Sequence, residues 1–223
     1  MIIAIDGPAG SGKTTTALKV AQILGFVHIN TGAMYRGIAL KFIREKVNLD
    51  DALTINRILK NTQLDFSGPN LGIIHLDGED VSVKIKSSLV TENVSLISAI
   101  SEVRVKLVEY QRQMAQGKNV VLEGRDIGTV VFPNADYKFY IVADIKVRAK
   151  RRKKEIESTG EHISMNEVIL FLQARDKKDS SRQHSPLMIA EDAIELDTTK
   201  LTIDEQVNYI INIVNKNQKG AQL

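Results

Sequence analysis

The chain contains no cysteine, which excludes disulfides and thiolate metal sites and fits a reducing compartment. Aromatic residues make up only 5% of it, few for a protein that grips single-stranded nucleic acid by stacking bases. Neither sign of charge dominates: 30 basic and 27 acidic residues leave +3, which offers no general attraction to nucleic acid or membrane. No uncharged apolar run reaches membrane-spanning length, and no charged leader with a cleavage site precedes the first apolar stretch. The four histidines, His28, His75, His162 and His184, are scattered without ligand spacing and read as surface or packed side chains, not as zinc ligands. Repeats and low-complexity tracts are also missing. The expectation is a soluble, cytoplasmic monomer with no nucleic-acid or membrane partner.

What is present is ordinary globular material: 223 residues, 43% hydrophobic and 26% charged, enough for one α/β domain carrying a small insertion. The sharpest feature is Gly7-Pro8-Ala9-Gly10-Ser11-Gly12-Lys13-Thr14, the complete phosphate-loop pattern G-x-x-x-x-G-K-[ST]. It follows the apolar run Ile2 to Ile5 and precedes a helix-like stretch, the strand–loop–helix context the motif requires. Glycines let successive backbone N–H groups turn around phosphate oxygens, Lys13 adds a positive charge, and Thr14 offers a hydroxyl to Mg²⁺. The helix N-terminus adds unpaired N–H groups and a favourable dipole. Residues 7–15, ending at Thr15, are therefore the expected ATP site, with Mg²⁺ as cofactor.

Helical spacing of Ala17, Leu18, Ala21 and Leu24 predicts a helix that Gly25 stops; Phe26 to Ile29 reads as a strand, and Asn30-Thr31-Gly32 caps a helix to about Lys46. These short alternations predict a right-handed parallel α/β sheet. Asp51 to Asn61 suggests another helix. Between Gln63 and Val83 the texture changes to short strands joined by turns, including turn-rich Asp77 to Asp80, so a small antiparallel insert is expected. Two helices break near Ile100-Ser101-Glu102. Core strands follow at Asn119 to Leu122, Tyr137 to Val142 and Ala193 to Leu196; helices at Lys146 to Glu157, Asn166 to Lys177 and Thr202 to Val214; residues 217–223 are expected to fray.

Phosphoryl transfer places negative charge between two substrates, so it needs cations on both sides. Arg36, Arg125, Arg148, Arg151, Arg152, Arg175 and Arg182 could supply such a clamp. Seven of the nine residues from Lys146 to Lys154 are Lys or Arg, compatible with a solvated helix face or with a mobile lid over phosphates, whose turn would lie near Gly160.

Four segments occur in order: the phosphate loop; Thr31-Gly32-Ala33-Met34-Tyr35-Arg36; Gly124-Arg125-Asp126-Ile127-Gly128-Thr129-Val130-Val131-Phe132-Pro133; and Ala174-Arg175-Asp176 with Asp179 and Arg182. Together they closely resemble the bacterial cytidylate kinase family, from Ile2 to about Val214. The resemblance implies a P-loop three-layer α/β/α fold with a parallel core sheet, an inserted antiparallel subdomain that binds the monophosphate, and a helical lid. It implies a core of about residues 1–35, 100–145 and 185–223, a monophosphate-binding region of about 36–99 and a lid of about 146–184. It also implies transfer of the ATP γ-phosphoryl group to CMP or dCMP with Mg²⁺, giving ADP and the diphosphate. Ser95, Arg104 and Asp126 then correspond to cytosine readers, Arg36, Arg125 and Arg182 to monophosphate ligands, Arg175 and Asp179 to ribose contacts, and Thr31 to the same pocket. Lys13, Arg125, Arg148 and Arg152 correspond to the catalytic cations.

Two positions depart from the pattern: Glu123 stands where many relatives carry aspartate, and Asn30 where some do. Which of Asp6, Glu123 and Asp126 would order the metal's water shell stays open at this point. Alternative readings are another acceptor, such as UMP or a hydroxylated metabolite, and a GTPase-type switch. Against the switch, Asp65-Phe66-Ser67-Gly68 supplies a D-x-x-G, but in the insert, and Asn215-Lys216-Asn217-Gln218 lacks the aspartate that reads guanine.

Overall fold

The computed structural model describes residues 1–158 and 160–220. Its centre is β1 (Ile2–Asp6), whose apolar residues are buried on both faces as a central parallel strand demands. Alternation sends Ile3 and Ile5 to one core cluster and Ala4 to another. The helix α1 (Lys13–Leu24) follows the phosphate loop and ends at Gly25, and β2 (Val27–Asn30) starts one residue later than the periodicity suggested. The Asn30 side chain then caps α2 (Thr31–Arg44) by accepting from the Ala33 N–H. Asp51 caps α3 (Ala52–Asn61) in the same way through Thr54.

The insert forms a three-stranded antiparallel sheet of β3 (Leu64–Ser67), β4 (Ile73–Leu76) and β5 (Glu79–Asp80). Residues 79–80 are thus strand where the sequence suggested a continuing turn. The reason is local: Asp77 and Gly78 both take positive φ, 52° and 85°, and close a two-residue hairpin that leaves Glu79 opposite Leu76. The sheet lies so close to α2 that a Cβ at Gly37 would come within 2.9 Å of Leu64 Cδ2.

Next come α4 (Ser88–Ile97), α5 (Ser101–Ala115) and β6 (Val120–Glu123), then β7 (Tyr137–Val142), α6 (Ile145–Glu157), α7 (Met165–Ser181), β8 (Ile194–Asp197) and α8 (Ile203–Gly220). All five core strands run parallel in the order β2-β6-β1-β7-β8. On one face α1 and α8 bury Ala17, Val20, Val207, Ile210 and Val214; α2 to α5 cover the other. A third cluster, Ala9, Ala149, Val168 and Leu172, ties α6 and α7 to the phosphate loop. Residues 221–223, in the tail expected to fray, lie outside the described residues. No described helix is long and apolar enough to cross a membrane.

The helix α7 runs four residues past the expected end at Lys177. Its start is fixed by a capping box between Ser164 and Glu167, and its extension puts Asp179 on the helix one turn after Arg175 instead of on a polar link.

Candidate active site

The loops that follow β1, β2 and β6 leave the same edge of the sheet, and these strands are neighbours, so their loops converge. The first is the phosphate loop. Gly7 has φ 143°, and a Cβ there would lie 2.1 Å from the Ile141 carbonyl oxygen, so the chain can turn over β7 only with glycine. Arg148 Nη1 donates to the Ala9 carbonyl at 3.1 Å, and Arg151 Nη1 and the Thr198 hydroxyl both donate to Ser11 O at 3.1 Å. These bonds hold carbonyls outward, away from the concave face where phosphate would meet N–H groups.

Lys13 opens α1, its ammonium donating to Pro8 O at 2.7 Å and to Ser11 Oγ at 3.4 Å. Burial, and then the nearby Arg125 charge, hold its pKa well below the ordinary lysine value. A phosphate group would reverse that balance. Thr14 Oγ1 donates to Glu123 Oε2 at 2.8 Å. Burial alone would raise Glu123, but His28, Lys13 and Thr14 outweigh it and keep the carboxyl below its usual range.

The three candidate carboxylates have different duties. Asp6 accepts from the backbone N–H groups of Ile127 and Gly128 at 3.0 and 2.8 Å, and Asp126 pairs with Arg104. Glu123 touches Thr14, and its Oε1 is buried 3.6 Å from His28 Nε2, just beyond hydrogen-bond distance. An all-oxygen pair of one hydroxyl and one carboxylate suits Mg²⁺, which is held by few protein ligands plus substrate phosphates. No cluster of three or more His, Cys, Asp or Glu that could hold a metal ion occurs among the described residues.

Across the cleft, Arg125, Arg175 and Arg182 gather around Asp179, and Arg36 lines the same cleft. Arg125 Nε donates to Asp179 Oδ2 at 2.9 Å, and Arg182 Nη1 stands 4.0 Å from Oδ1. Arg36 and Arg175 make no ion pair among the described residues. Burial, followed by the charges of Arg125 and Arg36, pushes Arg175 down to about 9. Burial also penalises the Asp179 carboxylate, yet the arginines outweigh this and lower its pKa. An excess of guanidinium over carboxylate in one buried place is an anion site.

At the far end of this pocket, Arg104 and Asp126 form an ion pair, each about 95% buried, with Arg104 Nη1 also donating to Ser98 O at 3.2 Å. Ser95 and Thr31 line the same cleft, and the Thr31 hydroxyl donates to Glu123 O at 2.7 Å. Gly124 joins these loops tightly, since a Cβ there would meet Ile127 Cδ1 at 2.7 Å and Thr31 Oγ1 at 2.9 Å.

Thus Thr31, Arg36, Ser95, Arg104, Arg125, Asp126, Arg175, Asp179 and Arg182 share one cleft with Ala9, Gly10, Gly12, Lys13, Thr14, Thr15 and Arg152. Gly7, Pro8 and Ser11 support the loop from behind. Arg148 is not brought into the cleft: its nitrogens are taken by Ala143 O, Ala9 O and Asp176 Oδ2, the last at 2.6 Å. It braces the loop. Asp65 of the D-x-x-G is likewise absent from the cleft lining. Sequence reasoning gave no role to Tyr35 or Thr198, and counted Arg151 among the clamp cations, whereas it braces the Ser11 carbonyl. Tyr35 sits inside a quoted motif, but the struts on Ser11 come from residues 140 and 187 positions away and leave no local signal. A larger hollow of ≈ 1230 Å³ runs along α5 and shares only Arg104 with the cleft. It holds no phosphate-loop residue, so size does not make it the active site.

A phosphate loop at the edge of a parallel sheet, facing an arginine-rich second pocket, defines a P-loop phosphotransferase. A family model described as cytidylate kinase matches residues 3–216. A cytidylate kinase of Caldanaerobacter subterraneus subsp. tengcongensis is 47% identical over 218 residues, covering 98% of this chain and 96% of that one. One from Fusobacterium nucleatum is 47% identical over 216 residues, covering 97% and 98%. A solved structure of an uncharacterised protein from Eubacterium ventriosum aligns with TM-score 0.51 at 13% identity, over 96% of this chain and 98% of that one, a likeness of fold alone. The chain belongs to the cytidylate kinase family.

Proposed function

We propose that this protein carries out the reaction of its family, transferring the γ-phosphoryl group of ATP to CMP or dCMP to give ADP and the cytidine diphosphate. The observation that carries the reading is the buried Arg104–Asp126 pair in the same cleft as Lys13 and the arginine cluster. Cytosine presents an amino donor beside two acceptors. Asp126 can accept from that amine while Arg104 donates to the ring nitrogen or carbonyl, with Ser95 beside them. Uracil reverses the edge, and each buried mismatch costs about 1–3 kcal/mol.

In this reading Arg36, Arg125 and Arg182 hold the CMP phosphate, and Arg175 and Asp179 meet the ribose near Thr31. The loop N–H groups and Lys13 hold the β and γ phosphates of ATP. An ionised CMP phosphate oxygen attacks the γ-phosphorus; the bond to the β,γ-bridging oxygen breaks and its electron pair leaves with ADP. No general base is required, so catalysis is alignment, charge stabilisation and exclusion of water. Lys13, Arg125 and Arg152 stabilise the charge shared between donor and acceptor, while Arg148 keeps the loop in place. Thr14 directly, and Glu123 through water, would hold Mg²⁺, which supplies further neutralisation of the β and γ oxygens. Residues 146–184 act as the lid, 36–99 as the monophosphate-binding region, and the remainder as the core.

The test is a panel of CMP, dCMP, UMP, AMP and a hydroxylated metabolite with ATP and Mg²⁺. The expected result is turnover of CMP and dCMP with kcat/KM at least roughly tenfold above UMP. Equal or better use of UMP, or of an acceptor without a cytosine, overturns the assignment.

A further inference from the structure

Gln206 closes the first turn of α8, is 0% exposed, and has a partner for both polar atoms of its carboxamide. Its Nε2 donates to the Leu201 carbonyl at 3.2 Å, which leaves Oε1 to accept from the Thr16 hydroxyl at 2.8 Å. A carbonyl oxygen only accepts, so the Leu201 bond fixes which way the carboxamide points. Thr16 is 0% exposed too, and its backbone N–H donates to Gly12 O at 3.1 Å, closing the first turn of α1. The carboxamide packs under the junction of phosphate loop and helix, where a Cβ at Gly12 would stand 3.5 Å from Oε1. An apolar pair would fill this place at lower desolvation cost.

Leu201 belongs to the loop between β8 and α8, and that loop reaches the phosphate loop at a second point. Thr198, three residues earlier, donates its hydroxyl to Ser11 O at 3.1 Å, and its own carbonyl accepts from Arg151 Nη2 at 2.8 Å. The loop is thus tied to Ser11 directly and to Thr16 through Gln206. These two anchors bracket residues 12–15, which carry the Lys13 ammonium, the Thr14 hydroxyl and the N–H groups that open α1. Gly12 has no side chain to cap the helix, so the first turn takes its alignment from such outside ties. Neither Thr16 nor Gln206 lines the cleft. A further tie between α1 and α8, from Lys19 to Asp204 at 2.7 Å, is exposed and lies outside the bracket.

We infer that Gln206 is a positioning residue for the phosphate-donor side: its bond to Thr16 holds the first turn of α1 at the spacing from Ser11 at which residues 12–15 meet the ATP phosphates together. Without that bond the empty loop spends time in arrangements that do not bind, and apparent affinity falls by the competent fraction. The inference rests on the functional reading above and adds a buried determinant of donor affinity that touches neither nucleotide. The acceptor side is anchored by other pairs, Arg104 with Asp126 and Arg125 with Asp179, and should not feel the change.

The experiment compares Gln206→Met, which keeps length and removes the carboxamide, with Thr16→Val, which exchanges the hydroxyl for a methyl, and with the double variant. Expected for each single change is a roughly fivefold rise in KM for ATP, the effect of one lost hydrogen bond, with KM for CMP within about twofold. The dissociation constant of ADP with Mg²⁺, measured by calorimetry without acceptor, should rise by the same factor. The double variant should shift no further than either single one, because both break one bond. Thr16→Ser, which keeps the hydroxyl, should behave as wild type, and so should Lys19→Ala, which cuts only the exposed tie to Asp204. Additive effects, equal rises in both KM values, unmoved ADP affinity, or the same loss in Thr16→Ser or Lys19→Ala overturns the inference. If Gln206→Met does not fold, Thr16→Val set against Thr16→Ser carries the same readout. The failures separate: wild-type protein that does not phosphorylate CMP sinks the functional reading, whereas ADP binding that ignores these variants sinks only the role of Gln206.

Discussion

Asp6 ends the central strand with both carboxylate oxygens committed to backbone N–H groups of residues 127 and 128, and it is 5% exposed. Desolvation by burial outweighs those two bonds and raises its pKa from 3.8 to about 6. An acid raised on folding binds more protons in the native than in the unfolded chain between these values, so stability falls as pH rises through that window. The full contribution is present below 3.8 and is lost once pH passes about 6. At 1.36 kcal/mol per pKa unit the loss is about 3 kcal/mol. The expected outcome is that wild-type protein loses this much stability, relative to Asp6→Asn, between pH 4 and pH 7 in urea unfolding. Parallel pH profiles for the two proteins would show that the carboxyl titrates normally. The same residue illustrates what a sequence hides. Gly7 to Thr14 announces itself because the motif's residues bind through their own backbone, whereas Asp6 acts on a segment more than 120 positions away and reads as the polar end of a strand.

At the scale of elements, periodicity fixed β7 to the residue and placed α1, α3 and α6 to within one or two positions, because each carries its own cap or apolar face. The turn at Ile127–Val131 is a π-helix, invisible to local patterns since its anchor is the distant Asp6. The basic helix α6 divides its cations among different faces. Lys146, Lys150 and Lys154 are exposed, Arg152 lines the cleft, and Arg148 and Arg151 turn inward onto loop carbonyls. Composition shows that charge is dense there but not which way each side chain points. Adjacent arginines with different duties give separable effects. Arg148→Met strips donors from Ala9 O and Ala143 O and leaves Asp176 without its ion pair, so it should destabilise the fold by roughly 2–4 kcal/mol. Arg152→Met loses only a largely exposed Glu155 contact and should leave the thermal midpoint within about 1 °C while lowering kcat by a decade or more. Thermal melts and steady-state rates on both variants decide it: equal loss of midpoint, or an Arg152 variant with full turnover, would contradict this division.

For the whole molecule, the cleft is assembled from three parts that touch one another. Arg125, after β6, is bonded to Asp179 on α7, and Ser88 at the start of α4 bonds Glu161 between α6 and α7, at 3.1 and 3.2 Å to its two oxygens. The free space left between them is ≈ 190 Å³, below the roughly 300–1,000 Å³ of typical ligand sites and too small for two nucleotides together. In the proposed reading, substrates part Arg125 from Asp179, place phosphate beside the arginines, and α6 and α7, as the proposed lid, return over them. The arginines then exchange one carboxylate for phosphate charge from both sides, so occupancy of both sites should hold the proposed lid far better than either alone. An analogue joining adenosine and cytidine through five phosphates should slow amide exchange across residues 145–181 by at least roughly tenfold beyond ATP or CMP singly. It should also raise the thermal midpoint above the value reached with either nucleotide at saturation. Exchange in this segment that ignores the analogue would mean that α6 and α7 form a fixed wall and that the cleft enlarges on its α2–α4 side instead.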